Sequence, residues 1–448
     1  MLAHQLPFDP TNPAPTLHAL PEKPGIFALF GTDPKAEPYL ARTTNLRRRL
    51  KRFLDAKPTQ TKRLRLTERV ARIEYTATGS DFESALALYT ATLQAFGERA
   101  RQRLHLRAPY FLRMTVKNRY PRVYATNTIA KSAADSLYGP FPSRAAAERF
   151  CDEALNLFLL RRCYPDLDPD PAFPGCVYSE MKMCLAPCFQ GCTDQRYAEE
   201  AARVQAFLAT RGQSLLQELA KERDAASEHL DFERAATLHA RIQKVEAVAA
   251  LASEAVHPLA RLRAILIQPS AEEGHVALYQ LQAGVLTGPA QYSTLGMRLH
   301  NEQSGSSSLY THPFALEAVP LHEDSTEQAA PSAKPQTATA TAAAKPKDAP
   351  RDILEQRLTE ALATLNQTKP KNDTQTTADH LSLFTSWYHR PETKRIGEAI
   401  FYKPDEPLPS KAILRAISRV FRSTLAAPTA SDTPIPAPAV APTKQLSS

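Results

Sequence analysis

Apolar and polar positions alternate over short segments in the N-terminal quarter of the chain, a pattern typical of half-buried strands. Three such segments are GIFALF (25–30), PYLAR (38–42) and ARIEYTA (71–77). Helical spacing follows the second segment from about Asn45, and follows the third over 81–97. The pattern predicts a small α/β unit at this end of the chain.

The same reading predicts strands and helices further along the chain. Ser143 precedes one helical run and is a suitable N-cap. Strands are predicted at 110–116, 122–126 and within 261–295, and helices from 143, over about 194–255, and at 351–366, 378–390 and 409–421. The fold class is therefore multidomain α+β.

Proline usage divides the 448-residue chain, since 37 prolines against 14 glycines indicate extended stretches outside the domains. The predicted parts are a disordered N-terminus (1–20), a small α/β domain (21–106), a Cys-rich region (107–200), a helical hairpin (201–255), a β-containing region (256–321), a disordered linker (322–350), a helical region (351–424) and a disordered tail (425–448).

Charge and hydropathy narrow the function. The 55 Lys and Arg exceed the 47 Asp and Glu, a net charge of +8 that favours an anionic partner. The sequence contains no uninterrupted apolar run long enough for a membrane span and no secretory pattern at its N-terminus. A soluble, cytoplasmic protein is expected.

A basic segment follows the second predicted strand. Residues 47–52 hold five positive charges in six positions. Asn45 can cap the helix, and Leu46 and Leu50 can face a core, which would leave the arginines toward solvent. One interpretation is a phosphate-binding surface, and the other is an ordinary solvated face. The candidate nucleic-acid contacts are Arg42, Arg47, Arg48, Arg49 and Arg52.

Six cysteines lie between 151 and 192, and the rest of the chain has none. Cys163, Cys176, Cys184 and Cys188 have the spacing C-x12-C-x7-C-x3-C, and four thiolates suit an iron–sulfur cluster or a tetrahedral zinc ion. Four buried free cysteines are the alternative. Cys192 is a possible substitute ligand, whereas Cys151 is expected in a helix core.

Residues 215–248 have the pattern of two amphipathic helices that meet near Leu230, with Asp231 as N-cap of the second. A two-helix hairpin is too small to bury both apolar faces by itself. It therefore either packs on its own domain or docks on a partner.

These segments together resemble one family. PGIFALF…PYLARTTNLRRRL is similar to the two-part signature of GIY-YIG nuclease domains, and YGPFPS, KMCLAPC and LDFERAA are similar to segments of the UvrC family of bacterial excinuclease proteins. The resemblance spans about 20–255.

The resemblance implies a role for each segment. Tyr39, Arg42 and Arg49 fall on catalytic positions of a nuclease that would need Mg²⁺ or Mn²⁺ if active. The four cysteines would hold a 4Fe–4S cluster, with zinc as the alternative. LDFERAA corresponds to the UVR motif, which docks on the helicase-like UvrB protein, and its candidate contacts here are Leu230, Phe232, Glu233, Ala235 and Ala236.

The sequence departs from the GIY-YIG pattern at several positions. Phe27 replaces the tyrosine of the first motif, and Glu83 matches only the first glutamate of the following helix. The metal-binding glutamate falls on Leu88, or on Tyr89 in the adjacent register, and neither side chain offers the carboxylate that magnesium prefers. The other departures are Ala41, Phe53 and Phe111.

The resulting hypothesis is a DNA-binding protein of the nucleotide-excision-repair type that carries a GIY-YIG-like domain. The alternative is a non-catalytic adaptor that docks a UvrB-like helicase through the hairpin. A third hypothesis is a DNA binder whose affinity responds to oxidation of the cluster. The second nuclease domain and the helix-hairpin-helix repeats of the family are not found in 261–421.

Overall fold

The computed structural model describes residues 2–33, 35–54, 66–164, 167–300, 308–310, 351–367 and 373–426. In these ranges the chain is a mixed α+β protein with three four-stranded sheets and one two-stranded ribbon. The three sheets define an N-terminal unit (2–106), a middle unit (107–258) and a C-terminal unit (259–426).

The N-terminal unit is an antiparallel sheet flanked by helices. Its elements are β1 (His4–Pro7), α1 (Ala14–Ala19), β2 (Gly25–Gly31), β3 (Tyr39–Thr43), α2 (Leu46–Leu54), α3 (Leu66–Arg69), β4 (Val70–Ala77), α4 (Asp81–Phe96) and α5 (Ala100–Arg103). The sheet order is β1-β4-β2-β3. The three predicted strands and both predicted helices are thus confirmed.

The prediction of a disordered N-terminus at 1–20 is wrong for the described residues. β1 pairs antiparallel with β4, from His4 opposite Tyr75 to Pro7 opposite Arg72. Leu17 and Leu20 are buried in the core of the unit. Proline is tolerated here because β1 is an edge strand, so that one of its sides needs no ladder hydrogen bond.

The middle unit combines a second antiparallel sheet with helices. Its elements are β5 (Tyr110–Met114), β6 (Val123–Thr126), β7 (Leu137–Phe141), α6 (Arg144–Leu155), α7 (Val177–Glu180), α8 (Asp194–Thr210), α9 (Gln213–Glu228), α10 (Phe232–Ala249) and β8 (His257–Pro258), with sheet order β6-β5-β7-β8. Ser143 caps α6 as predicted, since its hydroxyl accepts from the Ala146 N–H.

The Cys-rich region and the helical hairpin share one hydrophobic core, although the sequence analysis predicts a boundary between them at residue 200. That core extends from Leu112 on β5 through Phe207 on α8 to Val245 on α10. The inner face of the hairpin is therefore buried against its own unit, because α8 and α6 supply the apolar surface that two helices lack.

The C-terminal unit is a third antiparallel sheet packed against helices. Its elements are β9 (Arg263–Pro269), β10 (His275–Gln282), β11 (Val285–Ser293), β12 (Arg298–His300), β13 (Ser308–Tyr310), α11 (Arg351–Gln367), α12 (Thr374–Tyr388), β14 (Glu398–Phe401) and α13 (Ser410–Ala426). The sheet order is β11-β10-β9-β14, and β12 pairs with β13.

The predicted regions 256–321 and 351–424 contribute strands to one sheet, as expected for a single C-terminal α+β region that a linker splits. β14 lies in the region predicted as helical, yet it pairs antiparallel with β9 from Glu398 opposite Ile267 to Phe401 opposite Ala264. Four residues are too few to give a clear alternation. The predicted linker, 322–350, and nearly all of the predicted tail, from 427 onward, lie outside the described residues.

Helix α4 connects the N-terminal and C-terminal units. The Phe82 ring packs edge-on against Tyr279 at 5.2 Å and lies 5.3 Å from Trp387. Gly79 lies so close to the C-terminal unit that a Cβ atom would come within 2.2 Å of the Pro269 carbonyl oxygen. None of the helices in the described ranges is long and apolar enough to cross a membrane.

Candidate functional site

The basic segment forms one side of an open groove. Asn45 caps α2, since its side-chain oxygen accepts from the Arg48 N–H at 2.8 Å. Leu46 and Leu50 are fully buried, which leaves the arginines on the outer face. The groove has a volume of about 700 Å³ and is lined by Arg42, Thr43, Thr44, Asn45, Arg48, Arg49, Arg52, Asp81 and Ser84.

Two of the predicted catalytic residues, Tyr39 and Arg49, lie near the same phenyl ring. The Tyr39 side chain is 47% exposed, and its ring lies 6.1 Å from that of Phe53. The Arg49 guanidinium lies over the same Phe53 ring at 4.4 Å. The second neighbour of Tyr39 is Phe27, at 6.2 Å, which is fully buried and has no hydroxyl to handle a proton.

Arg47 points away from the groove, unlike the other arginines of the segment. Its Nε donates to the Leu20 carbonyl at 2.7 Å, and its Nη1 forms an ion pair with Glu22 at 2.6 Å. The structure thus brings together Arg42, Arg48, Arg49 and Arg52. It places Arg47 between α2 and the loop that joins α1 to β2.

Glu83 faces the C-terminal unit rather than the groove. Its Oε2 accepts a 2.6 Å hydrogen bond from the Gly79 N–H, and its own N–H donates to the Ser80 hydroxyl, so that Glu83 completes the cap of α4. Burial raises the pKa of Glu83 to about 7, although the hydrogen bond from Gly79 and the nearby Tyr279 hydroxyl act in the opposite direction.

Asp81 is the carboxylate that lines the groove, and the sequence motifs do not single it out. It starts α4 and forms an ion pair of 3.2 Å with Arg390 of the C-terminal unit. Asp81 directly follows Ser80, which caps α4. A serine before a helical run could have indicated this placement, because acidic residues are common in the first helical turn.

The two positions where the family's metal-binding glutamate falls contain no carboxylate. Leu88 is partly buried. Tyr89 is buried, and its hydroxyl donates to Asp379 of α12 at 3.3 Å. Phe111, at the position where the family has asparagine, is fully buried on β5.

The four predicted cysteine ligands lie in one region of the middle unit, where their thiols influence one another's ionisation. Charge on Cys163, Cys176 and Cys188 contributes to a raised pKa of Cys184, about 11, although burial is the main cause. Burial likewise raises the pKa of Cys188, and Cys176 and Cys163 add to the effect. Interactions of this kind require the thiols to be close together.

Two of these sulfurs accept hydrogen bonds. The Cys184 Sγ accepts from the Ala186 N–H at 3.3 Å, and the Cys163 Sγ accepts from Arg161 at 3.5 Å. Donors of this kind stabilise thiolate in clusters and zinc sites. In the described ranges, however, no three His, Cys, Asp or Glu side chains are arranged so that they could hold a metal ion.

The remaining two cysteines differ from these four. Cys151 is buried in the core on α6, as expected. Cys192 is partly buried just before α8, and burial raises the pKa of its thiol. The thiol-rich donor set matches a cluster or zinc chemically, and its identity stays a prediction.

The tip of the helical hairpin is exposed. Leu230 has a positive φ of 59° at the turn and a side chain that is 71% exposed, and Phe232 is 67% exposed. Asp231 between them caps α10, as predicted, by accepting from the Arg234 N–H at 3.1 Å. The two apolar side chains at the tip therefore lie outside the core.

The other predicted partner contacts divide between the two faces of α10. Glu233 and Ala236 are exposed, whereas Ala235 is half-buried against the core. The inner face consists of buried apolar residues at helical spacing, among them Leu238, Ile242 and Val245.

Fold and site together define a multidomain α+β protein with an arginine-lined groove, a cysteine-rich segment and an exposed hairpin tip. Residues 110–207 match the family model of the UvrC/Cho excinuclease middle domain, and residues 213–248 match the UvrB/uvrC motif. The chain is a UvrC-like protein.

Curated relatives agree with this family. The chain is 29% identical over 283 residues to the UvrABC system protein C of Symbiobacterium thermophilum, which covers 62% of this chain and 44% of the relative. The protein of the same name from Actinobacillus succinogenes is 30% identical over 234 residues, which cover 52% of this chain and 38% of the relative. The protein of the same name from Idiomarina loihiensis is 27% identical over 226 residues, which cover 50% of this chain and 36% of the relative.

The chain thus spans well under half the length of these curated relatives. No solved structure matches it.

Proposed function

We propose that this chain is a DNA-binding protein of nucleotide excision repair that docks on a UvrB-like helicase. The observation that carries the proposal is the matched UvrB/uvrC motif, whose hairpin buries its inner face in its own unit yet exposes Leu230 and Phe232 at its tip. Exposed apolar side chains at a defined turn are suited to a partner's surface.

The groove of the N-terminal unit supplies the DNA contact. Arg42, Arg48, Arg49 and Arg52 line it, and among the described residues none of the four forms an ion pair with a carboxylate. Four guanidinium groups along one groove suit a phosphate backbone, which they would bind without reading sequence.

The geometry of α4 favours the non-catalytic adaptor as the form of this function. Phosphodiester hydrolysis of the GIY-YIG type needs a metal ion held by hard oxygen ligands. Glu83 faces the C-terminal unit, and Leu88 and Tyr89 have no carboxylate. Asp81 is the remaining acidic side chain of the groove, and Arg390 neutralises it.

The four cysteines are proposed to hold a 4Fe–4S cluster, with zinc as the alternative. Cys163, Cys176, Cys184 and Cys188 are the ligands, and when bound the group would supply structural cross-linking of the segment 163–188. The N–H donors to the sulfurs of Cys163 and Cys184 support thiolate ligation.

A cleavage and binding assay tests the proposal. The purified chain is incubated with supercoiled plasmid and with a lesion-bearing duplex in Mg²⁺ or Mn²⁺, alone and with the UvrB-like helicase. Salt-dependent DNA binding without nicking is expected. Nicking that disappears in Arg49→Ala would show an active nuclease and contradict the adaptor, whereas absence of both DNA binding and partner binding would overturn the whole proposal.

A further inference from the structure

The β5–β6 hairpin of the middle unit lies within a strongly basic segment of the chain. Residues 99–134 contain nine Lys and Arg and no Asp or Glu. Four of these have ion-pair partners elsewhere: Arg99 and Arg103 with Glu37, Arg101 with Asp379, and Arg119 with Asp194. Among the described residues, no carboxylate pairs with Arg107, Arg113, Lys117 or Arg122.

Arg122 is part of a cluster with two tyrosines. Its guanidinium lies over the ring of Tyr124 at 4.8 Å and over the ring of Tyr164 at 4.5 Å. Such cation–π contacts hold the Arg122 guanidinium against both rings. Tyr164 is nonetheless 70% exposed, more than most large side chains with an aromatic ring in the described ranges.

Arg113 is a further cationic side chain near this cluster. Arg113 on β5 is directly opposite Tyr124 on β6 in the antiparallel ladder. Side chains of directly opposed residues lie on the same face of a sheet, about 5 Å apart at Cβ. The exposed ring of Tyr164 therefore contacts Arg122, and Arg113 lies on the same face of the sheet as Tyr124, which Arg122 also contacts. In the described ranges no carboxylate forms an ion pair with either arginine.

Buried hydrogen bonds hold the two segments that carry this cluster together. Tyr120 is buried, and its hydroxyl donates to Asp194 at 2.6 Å. The buried Arg161 donates from Nε to the Tyr120 carbonyl at 2.9 Å and from Nη1 to the Cys163 sulfur at 3.5 Å. One side chain thus connects the β5–β6 loop, which carries Arg122, to the cysteine segment, which carries Tyr164.

We propose that Tyr164, Arg122, Tyr124 and Arg113 form a second nucleic-acid contact, which binds unpaired single-stranded DNA. A base stacks on the open face of Tyr164, and the arginines bind the flanking phosphates. Base-paired DNA is the poorer ligand, because within a duplex both faces of each base are already stacked. The identity of the nucleic acid as DNA rests on the proposed function, whereas the site is separate from the N-terminal groove.

Fluorescence anisotropy with the full-length chain tests this site. The probes are a fluorescein-labelled single-stranded oligothymidylate and a duplex of equal length. Tyr164→Ala should weaken single-strand binding on the order of ten-fold and duplex binding much less. Tyr164→Phe keeps the ring and should bind as the wild type does. Phe173→Ala removes an exposed aromatic ring from the same cysteine segment and is the matched control.

Photo-crosslinking of an oligonucleotide containing 5-iodouridine locates the contact independently, and a cross-link on the peptide that contains Tyr164 is expected. Unchanged single-strand affinity in Tyr164→Ala, with a cross-link elsewhere, would overturn the inference. If Arg48→Ala still weakened duplex binding in that case, the proposed function would stand without it. An equal loss for single strand and duplex in Tyr164→Ala would also overturn the claim of a site for unpaired bases.

Discussion

The hydroxyl of Tyr89 on α4 donates a hydrogen bond of 3.3 Å to the carboxylate of Asp379 on α12, 290 residues away in the sequence. Asp379 also accepts from Gln375 and pairs with Arg101 at 3.4 Å. Tyr89 therefore helps to attach the N-terminal unit, to which α4 belongs, to the C-terminal unit.

Removal of this hydroxyl should destabilise the protein. In Tyr89→Phe the buried carboxylate of Asp379 loses one donor but keeps Gln375 and Arg101, so the free energy of unfolding should fall by about 1–2 kcal/mol. Urea unfolding measures the change. Tyr164→Phe removes an exposed hydroxyl and should change stability by less than about 0.5 kcal/mol. Equal stabilities of Tyr89→Phe and the wild type would contradict the importance of this contact.

Glu83 should make stability depend on pH. Its pKa rises from 4.5 to about 7 on folding, mainly because burial penalises the charged form. The folded state binds the proton more tightly than the unfolded state, so this contribution is fully present below pH 4.5 and is lost as pH rises through 7.

Glu83→Gln removes the charge and retains an acceptor for the Gly79 N–H. Its stability relative to the wild type should increase between about pH 5 and 8, by on the order of 2 to 3 kcal/mol in total. Urea unfolding at each pH gives the difference, and Glu98→Gln, at an exposed position just after α4, is the control. A stability difference for Glu83→Gln that does not change over this range would show that Glu83 is ionised without penalty.

Local signals in the sequence predicted much of the fold because their causes are local. Asn45, Ser143 and Asp231 each cap the helix that they were predicted to start, through a bond to an N–H three residues on. Strands β1 and β14 were missed because each is a four-residue edge strand, stabilised by pairing with a strand far away in the sequence.

The sequence likewise predicted those parts of the candidate site that short stretches of the chain encode. The arginine segment identified residues that the structure brings together in one groove, because it is encoded within a short stretch. The cysteine ligands stay a prediction, since no three ligand side chains of the described ranges are arranged to hold a metal ion. Nothing local distinguishes Arg47 from Arg48, however, and only the folded chain places Glu22 beside Arg47. The packing of Tyr89 on Asp379 is likewise determined by the docking of two units.

Arg47 and Arg48 provide a matched pair for testing the groove. Arg48→Ala should weaken duplex binding and reduce the slope of log affinity against log salt by about 0.9, the value for loss of one phosphate contact. Arg47→Ala should leave the salt slope nearly unchanged, because that side chain lies outside the groove and is paired with Glu22. Equal effects of the two variants would mean that the segment acts only through its total charge.

The hairpin tip should affect partner binding without affecting stability. Phe232→Ala removes a ring that is largely exposed, so the free energy of unfolding should be nearly unchanged, whereas affinity for a UvrB-like helicase should fall at least about ten-fold. Isothermal titration calorimetry with the purified helicase measures the affinity. Leu238→Ala, on the buried face of α10, should instead cost about 2–5 kcal/mol of stability. Unchanged affinity in Phe232→Ala would place the docking surface elsewhere.

The cysteines allow the metal site to be tested by position. Cys184→Ser should lose bound iron or zinc, because Cys184 is one of the four predicted ligands and its sulfur already accepts an N–H donor. Cys151→Ser should retain the metal, because Cys151 is buried in the core on α6, although that variant should lose some stability.

Metal analysis together with visible absorption separates a cluster from zinc. Retention of metal by Cys184→Ser but not by Cys192→Ser would replace the predicted ligand with the fifth thiol. Metal-free wild-type protein purified without oxygen would leave the four thiols as ordinary free cysteines.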